Sequence, residues 1–315
     1  MAMEKPTTLA VEEQQLDEAA AALVKKISGL AAAIGKLPSL SPTPEVNSLF
    51  TELVNTCIPA STVDVAVLGP EVQAMREALI RRCSEAEGLL EAHYADLLAG
   101  FDNPLDHLHL FPYFGNYVAL SKLDSLVLAA HHLPPTARVH NYDICPDANA
   151  RAERLVRADP ALAARVAFVT ADVADVTRDM AAYDVVFLAA LVGMAAEEKA
   201  QVVAHLGRHM APGAALVVRS AHGARAFMYP VVDPEEVRRG GFDVLAVHHP
   251  VGEIINSVII ARKPPPAVVI PPAAASVPSS TCKGEEGGVV VSEEGGGAAA
   301  IVVGPARENG RSNGI

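Results

Sequence analysis

Apolar residues recur with two different periods along this chain, and the change of period divides it. From about Leu16 to Gly100 the spacing is three and four. Leu16, Ala20, Leu23, Ile27, Leu30 and Ile34 therefore line one side of a helix. Ser41-Pro42-Thr43-Pro44-Glu45 interrupts the stripe, and a second helix is expected to restart from Thr43 with Pro44 at its first position. Its Val46, Leu49, Phe50 and Leu53 face one way. A third helix is expected over Pro70 to Leu98, with Met75, Leu79, Cys83, Leu90, Tyr94 and Leu97 turned inward. These segments predict an amino-terminal helical bundle over residues 1–122.

Beyond Leu123 short apolar runs alternate with helical segments. Strands are expected at Arg138–Asp143, Arg165–Thr170, Asp184–Ala189, Ala214–Arg219, Phe242–His249 and Ile254–Ala261. Helices fit Ala148–Ala158, the stretch around Val173–Met180, and Ala195–Met210. This alternation predicts an α/β, Rossmann-like, doubly wound parallel sheet over residues 123–263. The last two strands are joined by a hairpin-length turn, His249-Pro250-Val251-Gly252-Glu253. A reversed final hairpin on a parallel sheet resembles class I methyltransferase folds, which use S-adenosylmethionine, more than dehydrogenases. From Pro264 the sequence turns Pro/Ala/Val-rich and then Gly/Glu-rich without a period. Residues 264–315 are expected to be a disordered tail outside any site.

Composition narrows the function classes. The net charge of −12 argues against a general nucleic-acid binder, which needs clustered Lys and Arg. Aromatics make up only 4% and Trp is absent, so aliphatic packing must dominate the core. Cys57, Cys83, Cys145 and Cys282 form no C-x-x-C pair, which predicts reduced thiols in a cytoplasmic protein. Met1–Ala20 is acidic and lacks the apolar core of a secretory signal. The longest apolar stretch, Val185–Ala196, is shorter than the roughly 20 residues of a transmembrane helix. Homo-oligomerisation is left open by the sequence.

Several residues sit where chemistry is expected. Asp143 ends a strand, where a carboxylate can accept hydrogen bonds from ribose hydroxyls, or can cap the helix that follows. Asp172 can meet an adenine amino group or, again, serve as an N-cap. Leu188 and Ala189, with the small residues after them, close a strand at the carboxyl edge of the sheet. Ligands of open α/β sheets lie there, although these residues also suit a plain core. Glu85, Glu87 and Glu91 lie on the third helix, with Glu87 and Glu91 on one face. A carboxylate beside an apolar stripe can act as a general base; most helix glutamates are simply solvated. Leu110–Tyr117 concentrates the scarce aromatics between bundle and sheet, where they line a cleft or pack a hinge. The histidine pairs His107/His109, His131-His132 and His248-His249 lack metal-site spacing, so no metal is expected.

Longer runs carry a resemblance. Leu37-Pro38-Ser39-Leu40-Ser41-Pro42, Asn103-Pro104-Leu105-Asp106-His107-Leu108, Phe111-Pro112-Tyr113, Tyr183 through Met194, and Ile255-Asn256-Ser257-Val258-Ile259 are similar to plant nicotianamine synthases of the grass type. The similarity runs from about Ile27 to Lys263. It implies a transferase that joins three S-adenosylmethionine molecules into nicotianamine, a chelator of iron and other metals, releasing three methylthioadenosine. S-adenosylmethionine is then the substrate, and no separate cofactor is implied. The resemblance also implies a helical cap that supplies a glutamate and a tyrosine. By position these fall on Glu87 and Tyr113, with Glu91 and Tyr117 as alternates.

Two departures stand out. Phe114 occupies a position where the family often has a second tyrosine. More seriously, Asp124 runs straight into Ser125, where family members carry a further helix, the first sheet strand and a Gly-Ser-Gly-Pro loop. The gap predicts a missing central strand, with unpaired backbone groups and a cavity in the core. Three readings follow: an active synthase, a catalytically impaired or inactive relative, or an ordinary S-adenosylmethionine-dependent methyltransferase.

Overall fold

The computed structural model describes residues 8–61, 63–104, 106–107, 133–189, 191–249, 251–252, 254–265 and 299–303, with residues 8–17 and 299–303 as backbone only. Helix α1 spans Thr8–Gly35, α2 Pro44–Cys57 and α3 Pro70–Leu98. The Thr43 side chain accepts a hydrogen bond from the Val46 amide (3.3 Å), and Pro44 takes the first turn, so the second helix starts where the sequence places it. Ile27, Ile34, Leu53, Cys57, Leu79 and Cys83 are buried together between these helices. The stripe on α3 drifts from the expected one. Leu97 is 45% exposed, and Leu98, one position on, is fully buried. A straight helix has 3.6 residues per turn, so one fixed row of positions cannot stay inward for eight turns.

The second layer is built on strands β1 Arg138–Asp143, β2 Val166–Thr170, β3 Val185–Leu188, β4 Ala215–Ser220, β5 Asp243–His248 and β6 Ser257–Arg262. Around them lie α4 Pro146–Arg157, α5 Pro160–Ala163, α6 Ala196–His209 and α7 Pro234–Arg239. Beta-5 and β6 form the expected antiparallel hairpin, and β6 runs antiparallel to β4. Met180, Val186, Leu188, Val203, Leu206, Leu216 and Val218 form the core under one face and are all fully buried. Each such side chain contributes roughly 1.5–3 kcal/mol relative to exposure. At the join of α6 and α7 a Cβ on Gly207 would lie 1.9 Å from the Gly240 carbonyl oxygen, so only glycine permits that approach.

Three expectations need correction. The helix expected around Val173–Met180 is absent. Two 3-10 turns, Val173–Asp175 and Arg178–Ala182, stand there instead. Asp172 caps the first turn, and Val176 is extended, so the chain crosses to β3 without room for a regular helix. The Gly223–Phe227 turn after β4 and the short helices α5 and α7 went unread, because segments this short show no period.

The third correction concerns the carboxyl-terminal region. Ala299–Val303 is not irregular; it is strand β7, and the sheet order is β2-β1-β7-β3-β4-β6-β5. Beta-7 runs parallel to both neighbours, with Val139 and Val185 each opposite Ala300, and Tyr142 and Leu188 each opposite Val303. The unpaired centre expected from the missing block is therefore filled.

Candidate active site

The helical bundle packs on loops that leave the carboxyl ends of the parallel strands. Its core continues into Leu191 after β3, Ala221 and Ala224–Tyr229 after β4, and Ile255 before β6. Bundle and sheet thus meet at the edge where open α/β sheets bind ligands. The Arg76 Nε donates to the Ala226 carbonyl (2.6 Å), tying α3 to that edge, and Asp96 pairs with Arg154 (2.7 Å) further along the helix.

Glu87 lies half-buried on α3, facing this junction. The Tyr229 hydroxyl donates to Glu87 Oε2 at 3.2 Å. Both line a cleft with Leu40, Phe50, Cys83 and Met228, and among the described residues that line it Glu87 is the only carboxylate. An apolar wall with one carboxylate suits a group that must take a proton away from bulk water. Burial pushes the neighbouring Cys83 thiol well above its ordinary value, and Cys57 is raised to about 12 by the same cause. Neither thiol is a nucleophile at neutral pH. Tyr229 precedes Pro230 in a segment with no motif, and nothing in the sequence links it to Glu87, 142 positions earlier.

Glu91, one turn on, is also half-buried. Glu85 is exposed and pairs with Arg82 (3.8 Å), which is the solvated state expected of most helix glutamates. Tyr113 and Tyr117 lie outside the described residues, as does the Asp124–Ser125 junction.

The sheet supplies the other candidates. Asp143 is 2% exposed at the end of β1, and its Oδ1 accepts from the Cys145 amide at 2.6 Å. It does not cap α4, whose N-cap is Cys145. Asn149 braces the same turn, donating to the Asp143 carbonyl (3.3 Å) and to Thr170 Oγ1 (3.0 Å). Asp172 is exposed, and its Oδ1 accepts from the Ala174 amide (2.9 Å), which is the N-cap alternative. Leu188 and Ala189 are buried in the core beneath the edge.

A lysine the sequence did not mark lies beside them. Lys199 is 2% exposed, and its Nζ donates to the Ala189 carbonyl at 3.2 Å; burial lowers its ammonium to about 7. Gly193 closes the loop between them at φ +66°, and a Cβ there would stand 2.7 Å from the Lys199 amide nitrogen. Lys199 follows Glu197-Glu198 in the first turn of α6, where a surface cation is the ordinary reading. Among the described residues no group of three or more His, Cys, Asp or Glu is placed to hold a metal ion.

A parallel sheet that ends in a reversed hairpin, roofed at its carboxyl edge by a helical bundle, defines an α/β fold of the methyltransferase-like class. The solved structure of MtNAS in complex with MTA and tNA shares this fold, with a TM-score of 0.59 at 19% identity, covering 77% of this chain and 97% of that one. The family model described as nicotianamine synthase protein matches residues 15–125 and 123–268. Nicotianamine synthase 3 of Oryza sativa subsp. indica is 68% identical over 284 residues, covering 81% of this chain and 82% of the relative. Nicotianamine synthase 9 of Hordeum vulgare is 68% identical over 268 residues, covering 76% and 78%. The chain belongs to the nicotianamine synthase family. In the rice alignment 81% of 315 residues is about 255, so about 29 of the 284 aligned positions have no counterpart here. The family match itself breaks and restarts at residues 123–125.

Proposed function

We propose that this chain joins three S-adenosylmethionine molecules into nicotianamine by aminocarboxypropyl transfer, with Glu87 as the base. The observation that carries the proposal is the half-buried Glu87, held by Tyr229 in an apolar cleft between α2, α3 and the loop after β4. The sulfonium makes the γ-carbon of one substrate electrophilic. The α-amine of a second attacks it, forming a C–N bond as the C–S bond breaks and methylthioadenosine leaves. The amine must first lose a proton, and Glu87 is placed to accept it. A hydrogen bond donated by Tyr229 fixes the direction of the carboxylate. The step repeats once with a third substrate. A nitrogen of the coupled intermediate then attacks the γ-carbon of the one sulfonium that remains, closing the azetidine ring as its C–S bond breaks and the third methylthioadenosine leaves.

The remaining roles follow the same reading. Asp143 accepts from the ribose hydroxyls, and Asp172 approaches the adenine. The loop after Leu188 and Ala189 lets substrate lie close to backbone. Tyr113 is assigned the tyrosine role, with Glu91 and Tyr117 as alternates. S-adenosylmethionine serves as substrate with no separate cofactor, the product chelates iron, and the reaction is placed in the cytoplasm. The free thiols Cys57, Cys83 and Cys145 support that location.

Calorimetric titration of the purified chain with S-adenosylmethionine tests the proposal at its first step. Saturable binding that Asp143→Ala weakens at least about tenfold, or about 1.4 kcal/mol, is expected. No uptake at millimolar substrate would leave only the ancestry.

A further inference from the structure

The sheet has a slot for one parallel strand, between β1 and β3. Without β7 it would part into β2-β1 and β3-β4-β6-β5 and leave two rows of backbone N–H and C=O groups unpaired in the molecule's centre. The relatives align across about 29 positions that this chain lacks, and the family match breaks at 123–125. The strand in the slot comes from elsewhere: the family match ends at residue 268, and β7 begins at Ala299. We propose that Ala299–Val303 is a replacement strand, which the chain inserts from its own carboxyl-terminal region into the slot that its relatives fill from the segment missing between Asp124 and Ser125.

The topology permits this insertion at little cost. Beta-6 runs against the parallel strands, and its last residue, Arg262, pairs with Ala215 at the start of β4. The chain therefore leaves β6 at the amino edge of the sheet. Beta-7 must enter at that same edge, since Ala299 lies opposite Arg138 and Ala300 opposite Val185. The two points are three strand spacings apart, about 15 Å. The intervening residues 266–298 can reach several times that distance. Closing a loop of this length adds little entropy beyond that of a shorter one. The segment Ala299-Ala300-Ile301-Val302-Val303 is uncharged and free of proline, as a strand covered on both sides requires. The fit is imperfect. Asn141 in β1, opposite Val302, is 2% exposed, and neither polar atom of its amide has a hydrogen-bond partner among the described residues. A strand not matched to its neighbours would leave such an orphan.

Hydrogen–deuterium exchange on the full chain tests the proposal without reference to turnover, so it can fail while the synthase assignment stands, and the converse. Peptides covering 299–303 are expected to be protected as strongly as those covering β1 and β3. Val302→Pro removes a ladder donor from a central strand and should cost all three segments at least tenfold in protection. If that variant does not fold, a second chain decides the matter: one carrying the rice segment between Asp124 and Ser125. There the slot is filled by the inserted strand, so 299–303 should lose protection while β1 and β3 keep theirs, and Val302→Pro should become harmless. Exchange of 299–303 at the rate of an unstructured peptide in the unaltered chain would overturn the proposal. So would its continued protection after the rice segment is restored.

Discussion

Glu87→Gln is expected to lower the rate of methylthioadenosine release by about 10²–10⁴-fold, the usual contribution of a positioned general base. The substitution keeps the shape of the side chain and its hydrogen bond to Tyr229, but a glutamine cannot accept the amine proton. Binding of S-adenosylmethionine and the urea midpoint should stay within error of the unaltered chain, because the cleft is lined mainly by Leu40, Phe50 and Met228 rather than by charge. Tyr229→Phe provides the graded companion. It leaves the carboxylate in place but removes the donor that orients it, so a loss of only about tenfold is expected, the scale of one modest hydrogen bond. The order of the two variants is informative in itself. If Tyr229→Phe proved the more damaging, Tyr229 would be touching substrate rather than positioning Glu87. An unchanged rate for Glu87→Gln would move the base to Glu91.

Restoring the rice segment between Asp124 and Ser125 is the second large effect. Beta-7 rebuilds the ladder at the centre of the sheet, but a strand does not supply the Gly-rich loop that the family resemblance implies beyond it. That loop lets backbone amides approach the amino-acid end of the substrate. The restored chain should therefore bind S-adenosylmethionine at least about tenfold more tightly, near 1.4 kcal/mol, and turn over faster in proportion. Equal affinity before and after restoration would mean that the shortened site is already complete. The impaired-relative reading would then lose its physical basis.

The bundle and most of the sheet were legible because their signals are local. Thr43 and Pro44 announce a helix start, and Ile27, Leu30 and Ile34 repeat at helical spacing and are buried as that spacing requires. Strands β1 to β6 could be read from apolar runs of four to eight residues between helices. Beta-7 could not. Five small or branched residues in a Gly-rich context look like any low-complexity stretch, and their partners Val139 and Val186 lie more than a hundred positions away. The same limit hid Tyr229, whose role depends on a contact across the fold. Lys199 shows a different failure. An amphipathic helix ordinarily turns a lysine in its acidic first turn to water, yet the loop through Gly193 covers it and burial lowers its pKa to about 7. Asp143 stands at the carboxyl end of its strand as the sequence places it, and its contact with the Cys145 amide lies ahead of the helix, whose N-cap Cys145 makes no side-chain capping bond. Asp172 illustrates the opposite case, in which the ordinary capping role is present.

In the proposed reaction an amine displaces a thioether from a sulfonium carbon beside Glu87 and Tyr229. Mass spectrometry of the products after incubating the purified full-length chain with S-adenosylmethionine alone tests it most directly. Nicotianamine together with three equivalents of methylthioadenosine is expected. Adenosylhomocysteine on addition of a methyl acceptor, with no methylthioadenosine formed, would contradict it.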